Sequence, residues 1–367
     1  MEETQSKMRL LSLDFMRGFI MVMLALESTG LYEHLYKMSQ GSSVQLFFMQ
    51  FFHHPWHGLR FWDLIQPGFM FMAGTAMAFS IHRQEMEGVW WSTSFLKALK
   101  RSGWLFFWGV LDYAVRPQGL SFELWDVLTQ LSFTTLVAFL IFRFSIPAQL
   151  SISVGLLVLT EILYRFTNVE GFNQPFADQH NFGNYMDLLL MNKINSGGWV
   201  AINCLPTAAH TIWGAVAGKL LLTDSPAAEK IKKLVVVGMV CLALGFGLDM
   251  TITPIIKRIA TSSFILASGG WCVLGLAACY GWIDVMNHKK YLSFFTIVGM
   301  NSIFIYLFFE IVGHRWFNGY VSAVTNSLMG SIAVPEGLTL VATSLCIFGL
   351  EWGMCYFLYR KRIFFKL

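Results

Sequence analysis

The stretch HHPWHGLRFWDLIQPGF, residues 53–69, places three histidines, two tryptophans and a carboxylate where a loop runs into an apolar helix. An imidazole can accept a proton near neutral pH or attack an acyl carbonyl itself. A carboxylate within hydrogen-bond reach would fix its tautomer and stabilise the imidazolium, as in a generalised catalytic triad. His53 and Asp63 could form such a pair. The same composition also suits a plain anchoring role at a lipid-water boundary, where aromatic belts form. The HHxxH arrangement of His53, His54 and His57 is not a zinc-ligand spacing, and no metal is expected.

Further polar groups follow at helical intervals. Asp63, Gln66, Met70 and Gly74 would share one helix face, a carboxylate and an amide followed by a small-residue gap that suits a channel for a long flexible ligand. Pro67, read as lying inside that span, predicts a kink. Ser302, Tyr306, Glu310 and His314 recur every four residues beside Asn301, and so predict a second polar stripe. Asn301 and Ser302 could equally be interhelical hydrogen-bonding residues. His210, mid-helix, reads as a satisfied interhelical partner. Asp112, Glu123, Glu161 and Asp249 read as acidic residues tolerated at outward helix ends.

The elements that must position these groups are membrane helices. The 367 residues are 55% hydrophobic and only 13% charged, against about 25% charged in an ordinary soluble domain. Apolar runs of about 20 residues, each able to cross some 30 Å of hydrocarbon, leave no room for a soluble domain. The expected fold is therefore all-α: a single transmembrane domain over residues 1–367, with about ten spans near 13–31, 61–81, 97–115, 124–143, 147–165, 200–222, 234–252, 260–284, 291–313 and 337–359. Residues 314–336 could hide a re-entrant segment. The N-terminal segment lacks a cleavage pattern and is expected to remain as the first span.

Charge placement sets the orientation. With both termini cytoplasmic, 17 of the 26 basic residues fall inside, among them Lys7, Arg9, Lys97, Lys100, Arg101 and Lys366, while eight fall outside and Arg17 lies within the first span. Residues 32–60 and 166–199 then face outward and could form a cap or vestibule. The basic residues gather in alternate loops rather than in a patch, so nucleic acid is excluded as a partner. The six cysteines lie in or beside apolar segments and read as packing residues.

Six segments carry a family likeness: SLDFMRGFIMVMLALE at 12–27, HHPWHGLRFWDLIQPGFMFMAG at 53–74, LWDVLTQLSF at 124–133, LPTAAHTIWGAVAG at 205–218, SFILASGGWCVLGLAACYGWID at 263–284 and GMNSIFIY at 299–306. Taken in order, they resemble the transmembrane acyltransferases typified by heparan-α-glucosaminide N-acetyltransferase. The resemblance implies transfer of acetyl from cytoplasmic acetyl-CoA to an amino sugar on the far side of a bacterial inner membrane. The family's His-x-x-Trp-x-Gly-Leu segment matches His53, Trp56, Gly58 and Leu59, its Asp-Leu pair matches Asp63, and its Met-Asn-Ser element matches Met300, Asn301 and Ser302.

On this reading His53 and Asp63 are catalytic, while Glu27, Trp56, His57, Asn301 and Glu310 bind the acceptor. Arg17, Lys97, Lys100 and Arg101 hold the anionic nucleotide of acetyl-CoA, the acyl donor. The family usually has an asparagine late in the first span where this chain has Glu27, a departure that bears on the acceptor. The expected partners are the bilayer, an amino-sugar or glycan acceptor and a second copy in a homodimer. A permease for amino sugars without acyl transfer, and a non-catalytic scaffold, remain the rival readings.

Overall fold

The computed structural model describes residues 10–116 and 119–365, so Lys7, Arg9 and Lys366 of the charge map lie outside the described residues. Regular structure among these is helical throughout, save one isolated antiparallel bridge between His57 and Ile256. The helices are α1 (Leu11–Ser28), α2 (Leu31–Met38), α3 (Val44–Phe48), α4 (Ile65–Met86), α5 (Trp91–Ala114), α6 (Val127–Leu140), α7 (Ile146–Phe166), α8 (Phe182–Met191) and α9 (Cys204–Leu222). They continue with α10 (Ala227–Asp249), α11 (Ser262–Cys279), α12 (Leu292–Met300), α13 (Ser302–Leu307), α14 (Asn318–Ser331) and α15 (Glu336–Arg360).

Each of the ten apolar segments read from the sequence is helical. Five stretches are long and apolar enough to cross a membrane: Phe61–Met86, Ile146–Phe166, Ala227–Asp249, Ser262–Val285 and Glu336–Arg360. A sixth arises if Leu292–Met300 and Ser302–Ser331, bent by 74° at Asn301, count as one. The other helices fall short for visible reasons. Charged side chains interrupt α1 (Asp14, Arg17, Glu27) and α5 (Lys97, Lys100, Arg101, Asp112), and α6 has only 14 residues. Helix α9 carries His210 and Lys219, but its Thr207, His210 and Thr211 are buried in protein, so it does not need a uniformly apolar surface.

The described chain forms two compact units, His53–Asn287 and Leu11–Phe52 with residues 288–365. In the first, α4 and α9 cross with backbones in contact. A methyl on Gly74 would run into the Thr211 carbonyl, and one on Gly214 into the Phe71 carbonyl. The small residues read as a gap for a ligand are thus filled by a neighbouring helix, the small-xxx-small device of membrane packing. Met70 on that face is wholly buried, and Gln66 donates to Gln130.

Pro67 differs from expectation in the same way. A 3₁₀ turn, Phe61–Leu64, precedes α4, so the proline falls in the first α-helical turn, where its missing N–H has no intrahelical partner to lose. It starts a helix and does not kink one. Asp126 caps α6 by accepting from Leu128 N at 2.7 Å, and Ser145 caps α7 ahead of Pro147.

In the second unit, Gly18 of α1 meets the backbone of Phe295 on α12. The chain then breaks at Asn301, and Phe308–Phe317 is π-helical. The four-residue stripe through Ser302 and Tyr306 therefore does not continue in register to Glu310 and His314, because each π turn takes more residues than an α turn. Helix α14 follows and packs on α15, with Thr325 and Thr343 hydroxyls 2.6 Å apart.

Candidate functional site

The loop from His53 to Arg60 wraps around one carboxylate. Asp63, wholly buried, accepts Arg60 N at 2.9 Å and His54 N at 3.2 Å on Oδ2, while its Oδ1 lies 2.9 Å from His53 Nδ1. Arg60 Nη1 donates to His53 O at 3.0 Å and closes the loop from the other side. Gly58 makes the wrap possible. Its φ of +141° suits glycine, and a Cβ there would strike the His54 ring.

A second loop, between α10 and α11, delivers Lys257. It is fixed by Gly58 N donating to Ile255 O at 2.9 Å and by Asp249, which accepts from Ile255 N and lies 2.7 Å from His57 Nε2. Buried Lys257 places Nζ 3.1 Å from His53 Nδ1, 3.7 Å from Asp63 Oδ1 and 5.4 Å from the centre of the Trp199 ring. The third contributor is the segment Gly197–Gly198–Trp199. The Trp199 ring stands edge-on to His53 at 5.5 Å, and Arg258 Nη1 donates to Gly197 O.

The two contacts at Nδ1 compete, because the Lys257 ammonium only donates and is no hydrogen-bond partner for an Nδ1–H; the shorter contact, to Asp63, decides the tautomer. Asp63 can only accept when ionised, so His53 Nδ1–H donates to it and Lys257 acts as a charge beside the pair. His53 Nε2 then carries the ring's lone pair and meets no polar protein atom within hydrogen-bond distance among the described residues. The Nδ1 edge is enclosed while the side chain as a whole keeps 38% of its surface open. Burial of that edge, then the Lys257 cation, outweigh Asp63 and hold the imidazole pKa down to about 4. Burial likewise lowers Lys257 to about 8, against the pull of Asp63. The site therefore presents a neutral, oriented, partly open imidazole whose Nε2 has no protein hydrogen-bond partner among the described residues, able to act as a nucleophile or to accept a proton.

The other predicted residues of this unit support the loop. Trp56 donates from Nε1 to Phe176 O at 2.8 Å and packs with Tyr164, Phe182, Val200 and Ile256, tying the 167–203 segment down. His57 is held by Asp249, and the His54 ring lies beneath Gly58. Among the described residues no three His, Cys, Asp or Glu side chains converge to hold a metal ion. Lys97, Lys100 and Arg101 are exposed on the N-terminal half of α5, beside the C-terminal end of α4, where Ser94 donates to Gln84. His53 and Asp63 sit at the opposite end of that helix, about 30 Å away at 1.5 Å per residue.

The acids read as tolerated at helix ends find basic partners: Asp112 with Arg116 at 3.5 Å, Glu123 with Lys193 at 2.9 Å and Glu161 with Arg165 at 2.8 Å. Buried His210 lies 3.0 Å from Ser268 Oγ and 3.1 Å from Ile265 O through Nε2, the interhelical role expected of it.

Four predicted residues belong to the second unit. Arg17 pairs with Asp14 at 2.8 Å, Glu27 is exposed at the end of α1, and Glu310 lies on the π segment. Asn301 is wholly buried. Its Nδ2 donates to Ile363 O at 3.2 Å and its Oδ1 accepts Phe365 N at 3.0 Å, so the C-terminal main chain engages both ends of the amide. That is a packing role, and it fills the break in the helix.

Lys257, Arg258 and Trp199 were not singled out from the sequence. The signal was an adjacent Lys-Arg pair in a loop that the charge map expects to face outward, against the positive-inside trend. A scan against protein-family models and a search of curated proteins find no match to this chain.

Proposed function

We propose that the chain is a polytopic acyltransferase of about ten spans with both termini cytoplasmic, moving acetyl from cytoplasmic acetyl-CoA to an amino sugar on the outer side of a bacterial inner membrane. The observation that carries the reading is the pair His53–Asp63 at 2.9 Å, which leaves a neutral imidazole with no protein hydrogen-bond partner at Nε2 among the described residues. The ordered likeness of six segments to transmembrane acyltransferases supports the choice of acyl over other groups.

The reaction follows from the site. His53 Nε2 attacks the thioester carbonyl, the carbon–sulfur bond breaks, and CoA leaves as a thiolate. Asp63 holds the Nδ1 proton and balances the acyl-imidazolium that forms. The acceptor amine then attacks the acyl carbon, frees His53 and releases its proton to the thiolate or to water. The lone pair on Nε2, which meets no protein hydrogen-bond partner among the described residues, suits attack on the thioester carbonyl. Lys97, Lys100 and Arg101, about 30 Å away along α4, suit the anionic nucleotide at the other membrane face.

The test is reconstitution in liposomes with acetyl-CoA on one face and glucosamine on the other. N-acetylated sugar should appear with the intact protein and not with His53→Ala. Labelled sugar that crosses without acetyl-CoA would instead point to a permease.

A further inference from the structure

Glu351 lies in α15 and is wholly buried, yet neither of its carboxylate oxygens has a hydrogen-bond partner among the described residues, and no basic side chain there pairs with it. This helix is one of those long and apolar enough to cross a membrane. An uncompensated carboxylate in such surroundings is costly, so the group holds either a proton or another cation.

Its Oε1 faces Gly313 of the π-helical segment Phe308–Phe317. A methyl built on Gly313 would lie 3.7 Å from Glu351 Oε1 and 3.6 Å from Asn318 Oδ1. Both oxygens thus border the space that the glycine leaves open. Asn318 is held in this orientation by Nδ2, which donates to Ser28 O at 2.9 Å, and its buried Oδ1 is also without a partner. Two acceptor atoms, Glu351 Oε1 and Asn318 Oδ1, border one small space, and the second carboxylate oxygen is also without a partner among the described residues. The wall opposite Glu351 is a π turn, an arrangement found mostly at functional sites because it displaces carbonyls from the α-helical ladder.

We propose that Glu351 and Asn318 Oδ1, beside the open space at Gly313, bind one small monovalent cation of the size of sodium. An all-oxygen, acceptor-only set selects a hard cation and rejects anions and soft metals. A single carboxylate balances a single positive charge, and the missing side chain at Gly313 provides the room. The site belongs to the second unit alone and does not rest on acyl transfer.

The test uses the full chain in detergent, exchanged into sodium-free choline buffer. Sodium chloride should raise the melting temperature above the value in equal choline chloride, because a ligand bound only by the folded state stabilises it. It should also protect Glu351 from carbodiimide labelling. Glu351→Gln should melt at a temperature independent of sodium, and Asn318→Leu should weaken the sodium response by about tenfold or more, the scale for loss of a supporting ligand. Gly313→Ala is the decisive variant: its methyl makes only ordinary contacts, so the protein should fold, but it occupies the space assigned to the ion and should abolish the response. Equal melting temperatures in sodium and choline, or a full sodium response in Gly313→Ala, would overturn the proposal.

Discussion

Lys257 Nζ lies 3.1 Å from His53 Nδ1 although 204 residues separate them in the chain. The contact places a cation beside an imidazole that donates to Asp63, and burial, reinforced by this cation, keeps the ring neutral. Lys257→Met should raise the His53 pKa from about 4 part of the way toward 6.5, with burial supplying the remaining depression. Diethyl pyrocarbonate reacts with neutral imidazole, so the pH midpoint of His53 modification, read by peptide mass spectrometry, should move upward in the variant. An unchanged midpoint would mean that Lys257 is not a significant influence.

In Asp63→Asn the amide oxygen is held by His54 N and Arg60 N, so an NH2 donor replaces the oxygen that accepts from His53 Nδ1 and the ring takes the wrong tautomer. Transfer should fall by roughly 10³- to 10⁴-fold, the scale seen when the orienting carboxylate of a triad is neutralised. Comparison of initial rates at saturating acetyl-CoA checks this, with gel filtration to establish that the variant remains folded.

Gly58→Ala tests the loop. The φ of +141° and the adjacent His54 ring should together cost about 1–3 kcal/mol of stability or displace the ring. Thermal melting in detergent should register the loss, and Gly88→Ala, with nothing within 4 Å of its added Cβ, provides a control for positive φ alone.

Asp187 sets a pH dependence of its own. Buried, and accepting from Trp125 Nε1 at 2.9 Å and Ala201 N at 2.8 Å, it is pushed up by burial from 3.8 to about 7. A raised folded-state pKa means that the folded protein holds the extra proton between these values. Its contribution is therefore complete below pH 3.8 and is lost as pH rises through 7. The melting-temperature advantage of the wild type over Asp187→Asn should shrink from pH 4 to pH 7, and a gap that widened would contradict the assignment.

Hydropathy alone located every membrane-length helix, because apolar runs need no partner to be recognised. The His53–Asp63 pair was legible for a similar reason, since ten residues and one short loop connect its members. Lys257, between α10 and α11, and Trp199, between α8 and α9, arrive from loops far along the chain, and only the folded arrangement of these helices around α4 brings them to the imidazole. The gap read from Gly74 was genuine, but its occupant, α9, is set by packing and not by local pattern. The break at Asn301 and the π segment after it likewise depend on tertiary contacts, here the C-terminal main chain that engages the amide. Spacing alone therefore projected a continuous α-helical stripe that the structure does not contain.

The most direct measurement is transfer by His53→Ala beside the wild type, with the wild type also incubated with acetyl-CoA in the absence of acceptor. The account predicts acetyl on the peptide bearing His53, discharged when glucosamine is added, and no transfer above background in the variant. N-acetylglucosamine formed by His53→Ala at the wild-type rate would contradict it.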